Sequence, residues 1–275
     1  MSITAAKGFA AGAVHAGIRK EKLDLALVHS LVPATGAGMF TVNRVQAAPV
    51  VVSREHLELA QPQAIVANSG VANAATGAAG IDAARVSAKA AGAKLGVAPE
   101  QVLVLSTGVI GQPLPVDRVV AGITRIVMRG DGGAAAAEAI LTTDTHAKTA
   151  VAHGAGFTVG GMAKGSGMIH PNLATMLAVI TTDYPLGPGE ALELLRPAVD
   201  VSFNSISVDG ECSTNDAVVL LASGASNVQR TPATDEAFVV ALRKVCADLS
   251  HQIVADGEGA TLLAEISVSG AADAA

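Results

Sequence analysis

The chain has 275 residues, half of them apolar and only 15% charged, so it is long enough to bury a core without disulfide or metal staples and too apolar to stay disordered. Trp is absent and the aromatics amount to 2%, which argues against base-stacking surfaces and aromatic cages. A net charge of −6 gives no grip on a phosphate backbone, so a nucleic-acid partner is not expected.

At the amino end, MSITAAKGFAAGAVHAGIRKEK is interrupted by Gly8, Gly12 and Gly17 and lacks the apolar run of a secretory signal. No stretch reaches the length a membrane span needs, so neither a membrane partner nor an export route is expected, and the cytoplasm is the expected location. Strands are predicted at 25–29, 39–43, 50–53, 64–68, 102–106, 175–182, 217–222 and 261–268. Helices are predicted over 81–95, ending at Gly96; from Pro115 to Gly130; and from Thr234, with Phe238, Leu242, Val245, Leu249 and Ile253 on one stripe. Strands and helices interleave, which points to a layered α/β fold. The least regular stretch is the glycine-dense Gly154 to Gly167, the place for any boundary. Charge divides near there too: residues 1–174 carry net +4 and residues 175–275 net −10, as expected of two complementary halves of one body.

Several chemistries are missing. There is no GxxxxGK[ST], and Gly130, Gly132 and Ala135 match GxGxxA only inside helix-like sequence, so no dinucleotide site is expected. The GxSxG elbow is absent. Seven scattered histidines show no HExxH, and Cys212 and Cys246 form no CxxC pair, so no metal is expected and both cysteines read as small residues in a reducing compartment.

One segment stands out: a glycine-rich approach, Gly160-Gly161-Met162-Ala163-Lys164-Gly165-Ser166-Gly167, runs through Pro171 into Ala174-Thr175 and an apolar strand. On composition alone, Thr175 is the first residue of a core strand. The chemical reading is that Thr175 becomes a nucleophile by self-cleavage. A threonine hydroxyl needs a base beside it, and a Thr at a new chain terminus carries one in its own α-amine, whose reference pKa is about 7.7–8.0. Breaking the Ala174–Thr175 bond would supply that amine: the hydroxyl attacks the preceding carbonyl, and the resulting ester is hydrolysed.

The block GGMAKGSGMIHPNLATMLAVITTD resembles the cleavage region of the glutamate N-acetyltransferase, or ornithine acetyltransferase, family of self-processing enzymes of arginine biosynthesis. Further segments agree in order: AAKGFAAGAVHAGIRK, TGAGMFTVNRVQAAPV, AIVANSGVANAATG, STGVIGQPLP, LTTDTHAK, NSISVDGECSTNDAVVLLASG and VADGEGAT. The resemblance implies a layered α/β sandwich with helices packed outside two sheets, of the aminopeptidase/ornithine acetyltransferase-like, N-terminal nucleophile type. It implies an alpha fragment, residues 1–174, and a beta fragment, residues 175–275, that associate after scission and assemble as an oligomer of such pairs.

Site roles follow from the same resemblance. Thr175 matches the nucleophile, and Ala174 the new carboxyl end. Thr107 and Gly108 match the oxyanion pair, Lys164 a substrate-binding lysine, and Glu258 a glutamate of the active site. Thr142 matches a substrate-contacting threonine, with Thr143 as a substitute one residue on. The implied reaction moves acetyl from N-acetylornithine to glutamate through an acetyl-threonine ester, without a cofactor. Bifunctional members also accept acetyl-coenzyme A, and no sequence feature here decides that. Two departures are present: Leu262 stands where many relatives have Lys, and the chain is shorter than the family's usual length, omitting an Asn and a Thr that help close the substrate site. Two alternatives stand beside this reading: an aminopeptidase or amidase of the same architecture, and an inactive remnant that binds a ligand or partner.

Overall fold

The computed structural model describes residues 2–170 and 176–270. Its strands are β1 (Phe9–Val14), β2 (Leu25–Ser30), β3 (Thr35–Phe40), β4 (Ala64–Asn68), β5 (Val102–Ser106), β6 (Lys148–His153), β7 (Thr158–Lys164), β8 (Leu177–Thr182) and β9 (Ala217–Ala222). Its helices are α1 (Ala48–Leu59), α2 (Gly77–Leu95), α3 (Val116–Arg125), α4 (Gly133–Ala139), α5 (Glu190–Asp200) and α6 (Pro232–Ala255). The strands form two sheets, one in the order β1-β2-β4-β5 and one in the order β3-β9-β8-β7-β6. β4 pairs parallel with β5 and β8 with β9; every other pairing is antiparallel.

Side chains alternate along a strand, and here both faces of the central strands are covered, so these strands read as unbroken apolar runs. In the first sheet Ala26, Val28, Ile65, Leu103 and Leu105 face inward, meeting Met162, Leu177, Val179, Val219 and Leu221 of the second sheet. The intervening residues Leu25, Leu27, Val66, Val102 and Val104 point outward, into a core shared with α1, α2 and α3. On the far side Ala178, Ile180, Val218 and Leu220 pack under α5 and α6, where Phe238, Leu242, Val245 and Leu249 supply the expected helical stripe. Burying an aliphatic side chain of this size stabilises by about 1.5–3 kcal/mol. The result is the expected sandwich, two facing sheets with helices outside both.

Several predicted elements change. Residues 50–53 are helical, not extended. Pro49 opens α1, and Val50, Val52, Ser53 and His56 turn one buried face to β5, where the Ser53 hydroxyl donates to the Val104 carbonyl at 2.8 Å. Burial on a helix face overrides the β-propensity of three consecutive valines. The strand placed at 39–43 lies earlier, at β3, and the helix from Pro115 stops at Arg125. Residues 261–268 form no strand, and Leu262, Ile266 and Val268 are exposed. The glycine-dense stretch is not irregular: it contains β7, between β6 and β8. A Cβ at Gly161 would lie 2.7 Å from Leu249 and 2.8 Å from Val245, so the bare backbone is what lets α6 approach the sheet. Among the described residues no helix is long and apolar enough to cross a membrane.

Candidate active site

The site gathers where β5, β7 and β9 end or begin near the start of β8. Thr107 follows β5 and is buried, and its backbone N–H donates to the Asn68 carbonyl at 3.0 Å. Gly108 has φ +132°, and a Cβ there would lie 2.3–2.6 Å from the backbone of Gly70 and Val71. No side chain fits: the 107–109 backbone is pressed against 70–72, with Val109 N–H donating to Gly70 and Ala72 N–H to Val109. The Thr107 hydroxyl and the Gly108 N–H have no hydrogen-bond partner among the described residues, so these two donors are the ones free to meet a developing negative charge.

Asn215 links this turn to the strand after the junction. Its amide donates to the carbonyls of Ser106 at 2.9 Å and Ala72 at 2.7 Å. The next residue, buried Asp216, accepts the Met176 N–H at 2.8 Å, and Ala217 N–H donates to the Met176 carbonyl at 3.1 Å. Burial pushes the Asp216 carboxyl well above the usual carboxylate range, against the pull of the Met176 N–H. The proposed bond Ala174–Thr175 itself lies outside the described residues.

Lys164 ends β7 directly opposite Leu177, two residues beyond Thr175, and is 2% exposed. Its ammonium stands 3.9 Å from Asp144. Burial lowers its pKa and Lys148 adds to that, while Asp144, Asp216 and Glu258 oppose. Asp144 is held from several sides: Lys148 donates at 2.7 Å, Gly165 N–H at 2.7 Å and Thr142 N–H at 3.0 Å. Burial works to raise its pKa, but the charge of Lys164 and these donors outweigh it and pull it down to about 2. Lys148, fully buried, also donates to Asp256 at 2.6 Å, and Asp256 accepts from both the N–H and the hydroxyl of Thr145.

Thr142 therefore meets this cluster through its backbone, whereas the Thr143 hydroxyl bonds that of Ser166 at 2.8 Å. Glu258, past the end of α6, is exposed, and its N–H donates to the Ser166 carbonyl at 2.6 Å. Its carboxylate lies against Gly167, 2.9–3.1 Å from where a Cβ would stand. Thus Lys164, Glu258, Thr142 and Thr143 share one neighbourhood, and Thr107 and Gly108 reach the start of β8 through Asn215 and Asp216.

Asp144, Lys148, Asn215, Asp216 and Asp256 were not singled out by sequence reasoning. All five lie inside the matching segments, but what marks them is burial of a polar group with distant partners. Lys148 and Asp256 are 108 residues apart, a pairing no spacing announces. Among the described residues no cluster of His, Cys, Asp and Glu could hold a metal ion.

The model of the ArgJ family matches residues 10–275. The arginine biosynthesis bifunctional protein ArgJ of Symbiobacterium thermophilum is 50% identical, the match covering 98% of this chain and 70% of that protein. A solved ornithine acetyltransferase from Mycobacterium tuberculosis, complexed with ornithine, is 43% identical over 63% of this chain and 96% of its own, with a TM-score of 0.61. A Burkholderia β-aminopeptidase, at 13% identity and a TM-score of 0.54 over 93% of this chain, is similar in fold. With half of its residues shared with one ArgJ protein over nearly its whole length, this chain belongs to the ArgJ family.

Proposed function

We propose that this chain is an acetyltransferase of arginine biosynthesis that carries acetyl from N-acetylornithine to glutamate on the hydroxyl of Thr175, after cutting itself between Ala174 and Thr175. The observation that carries the reading is the convergence on the start of β8: the two free donors at Thr107 and Gly108 from one side, and the buried ammonium of Lys164 from the other. The first pair suits the oxyanion of a tetrahedral intermediate, and the lysine suits the carboxylate of an amino-acid substrate. In this reading Glu258 binds a substrate ammonium or moves its proton.

The chemistry balances without a cofactor. In self-cleavage the Thr175 oxygen bonds to the Ala174 carbonyl carbon, the peptide C–N bond breaks, and the nitrogen gains the proton the hydroxyl gives up. Water then frees the Ala174 carboxylate. In turnover the same oxygen takes acetyl from N-acetylornithine, ornithine leaves as the amine, and glutamate's amine takes the acetyl from the ester.

Two facts support a cut that leaves the pieces together. The solved ornithine acetyltransferase chain is itself about two-thirds as long as this one, near the size of residues 1–174. Within the second sheet β8 and β9 lie between β3 and β7, so the strands of the later segment are flanked on both sides by strands of the earlier one. The test is mass spectrometry of the purified chain with an assay of acetyl transfer from N-acetylornithine to glutamate. A terminus at Thr175 together with transfer supports the reading; hydrolysis of peptide amides without transfer points to an amidase instead. Acetyl-coenzyme A, offered in the same assay with glutamate, decides whether this member is bifunctional.

A further inference from the structure

Two lysines are buried beside one carboxylate, and they differ in what is left of them. Lys148 has its ammonium taken by Asp144 at 2.7 Å and Asp256 at 2.6 Å. The Lys164 ammonium is 3.9 Å from Asp144, beyond hydrogen-bond range, and has no hydrogen-bond partner among the described residues. A buried ammonium with its donors unspent is costly, because its hydration is lost and not replaced. Such a group persists where something else holds its charge in place.

We infer that Asp144 is the positioning residue for Lys164, keeping it protonated and aimed while leaving its donors for the substrate carboxylate. Lys148 and the Gly165 N–H occupy one oxygen of Asp144, and the Thr142 N–H binds the other, the one nearest Lys164. Asp144 therefore cannot rotate to make a full bond to Lys164, and the gap is built in. Two neighbours oppose each other on Lys164: Lys148 repels its proton and Asp144 retains it, with Asp216 and Glu258 adding to Asp144. Asp256 connects to the lysine through Lys148, which it holds at 2.6 Å.

This inference rests on the proposed amino-acid substrate, and its test separates the two. Glutamate and N-acetylornithine are titrated into the full chain by calorimetry across pH 6 to 10, for wild type, D144N and K148Q, with thermal unfolding recorded for each. Both substitutions keep a hydrogen-bonding amide in place of the charge. In wild type, binding weakens as pH rises through the pKa of Lys164. In D144N that loss of affinity begins at lower pH, by about one unit, and affinity at pH 8 falls about tenfold. In K148Q it begins at higher pH. Opposite shifts from two neighbours of one lysine are not what general damage to the fold produces, and the K148Q arm stands even if D144N unfolds. Binding with an unmoved pH profile in folded variants, or shifts of the same sign in both, overturns the role of Asp144 and leaves the substrate reading intact. No binding of either amino acid by wild type overturns both.

Discussion

At the scale of single residues, the site is made of groups with unspent hydrogen-bonding capacity. The Thr107 N–H is committed to Asn68, which leaves its hydroxyl and the Gly108 N–H. Thr107→Val keeps the shape and removes one donor, and a lost donor of this kind costs about 2.7–4 kcal/mol of barrier. The expected result is a fall in kcat for acetyl transfer of roughly a hundredfold or more, with thermal stability little changed; unaltered turnover would remove Thr107 from the site. Gly108→Ala is expected to damage folding as well, since its Cβ meets the Gly70 backbone at 2.3 Å. These residues were legible only through their matching segments. On its own Ser-Thr-Gly reads as a turn, Lys164 as a solvated loop lysine and DGEG as another turn. The burial that gives Thr107 and Lys164 their chemistry depends on strands far away in the chain.

At the scale of elements, the Lys148–Asp256 bridge joins the start of β6 to the end of α6, close to Glu258. Removing one partner of a buried pair costs about 3–5 kcal/mol, and Lys148 retains Asp144, so Asp256→Asn is expected to lower unfolding free energy by about 3 kcal/mol in urea denaturation. The acid side follows from Asp144. Its pKa is pulled below the usual carboxylate range to about 2, so its contribution is present above the unfolded value and is lost as pH falls from about 4 through 2. That contribution is on the order of 2 kcal/mol, and stability measured between pH 5 and 2 should fall less steeply in Asp144→Asn than in wild type. Element identity was well signalled where apolar runs were unambiguous, as in β4, β5 and β9, whose predicted limits coincide with the structure. It failed where a local signal met a tertiary demand. The three valines of α1 looked extended, but Val50 and Val52 bury a helical face, and the paired glycines of β7 looked like loop, but Gly161 admits a helix.

At the scale of the whole molecule, the proposed cut falls within a single sheet and not between domains. The ladders β7–β8 and β3–β9 cross it, and both inner cores draw on residues from each side. Hydrophobic burial on that scale far outweighs the attraction between a +4 and a −10 segment. The severed chain is therefore expected to run as one species in size-exclusion chromatography at high salt and to unfold in a single transition; separation of fragments under native conditions would contradict this. The layered architecture was legible from interleaved strands and helices, but the pairing order was not, because β3 and β9 are joined across most of the chain.

In the proposed reaction Thr175 becomes a chain terminus and then the acyl carrier. Mass spectrometry of the full chain after brief exposure to N-acetylornithine reads both at once. Expected are a fragment beginning at Thr175 that gains the mass of one acetyl group, and a Thr175→Ala chain that stays whole and unlabelled. A folded wild-type chain that transfers acetyl while remaining continuous through Ala174 and Thr175 would contradict it.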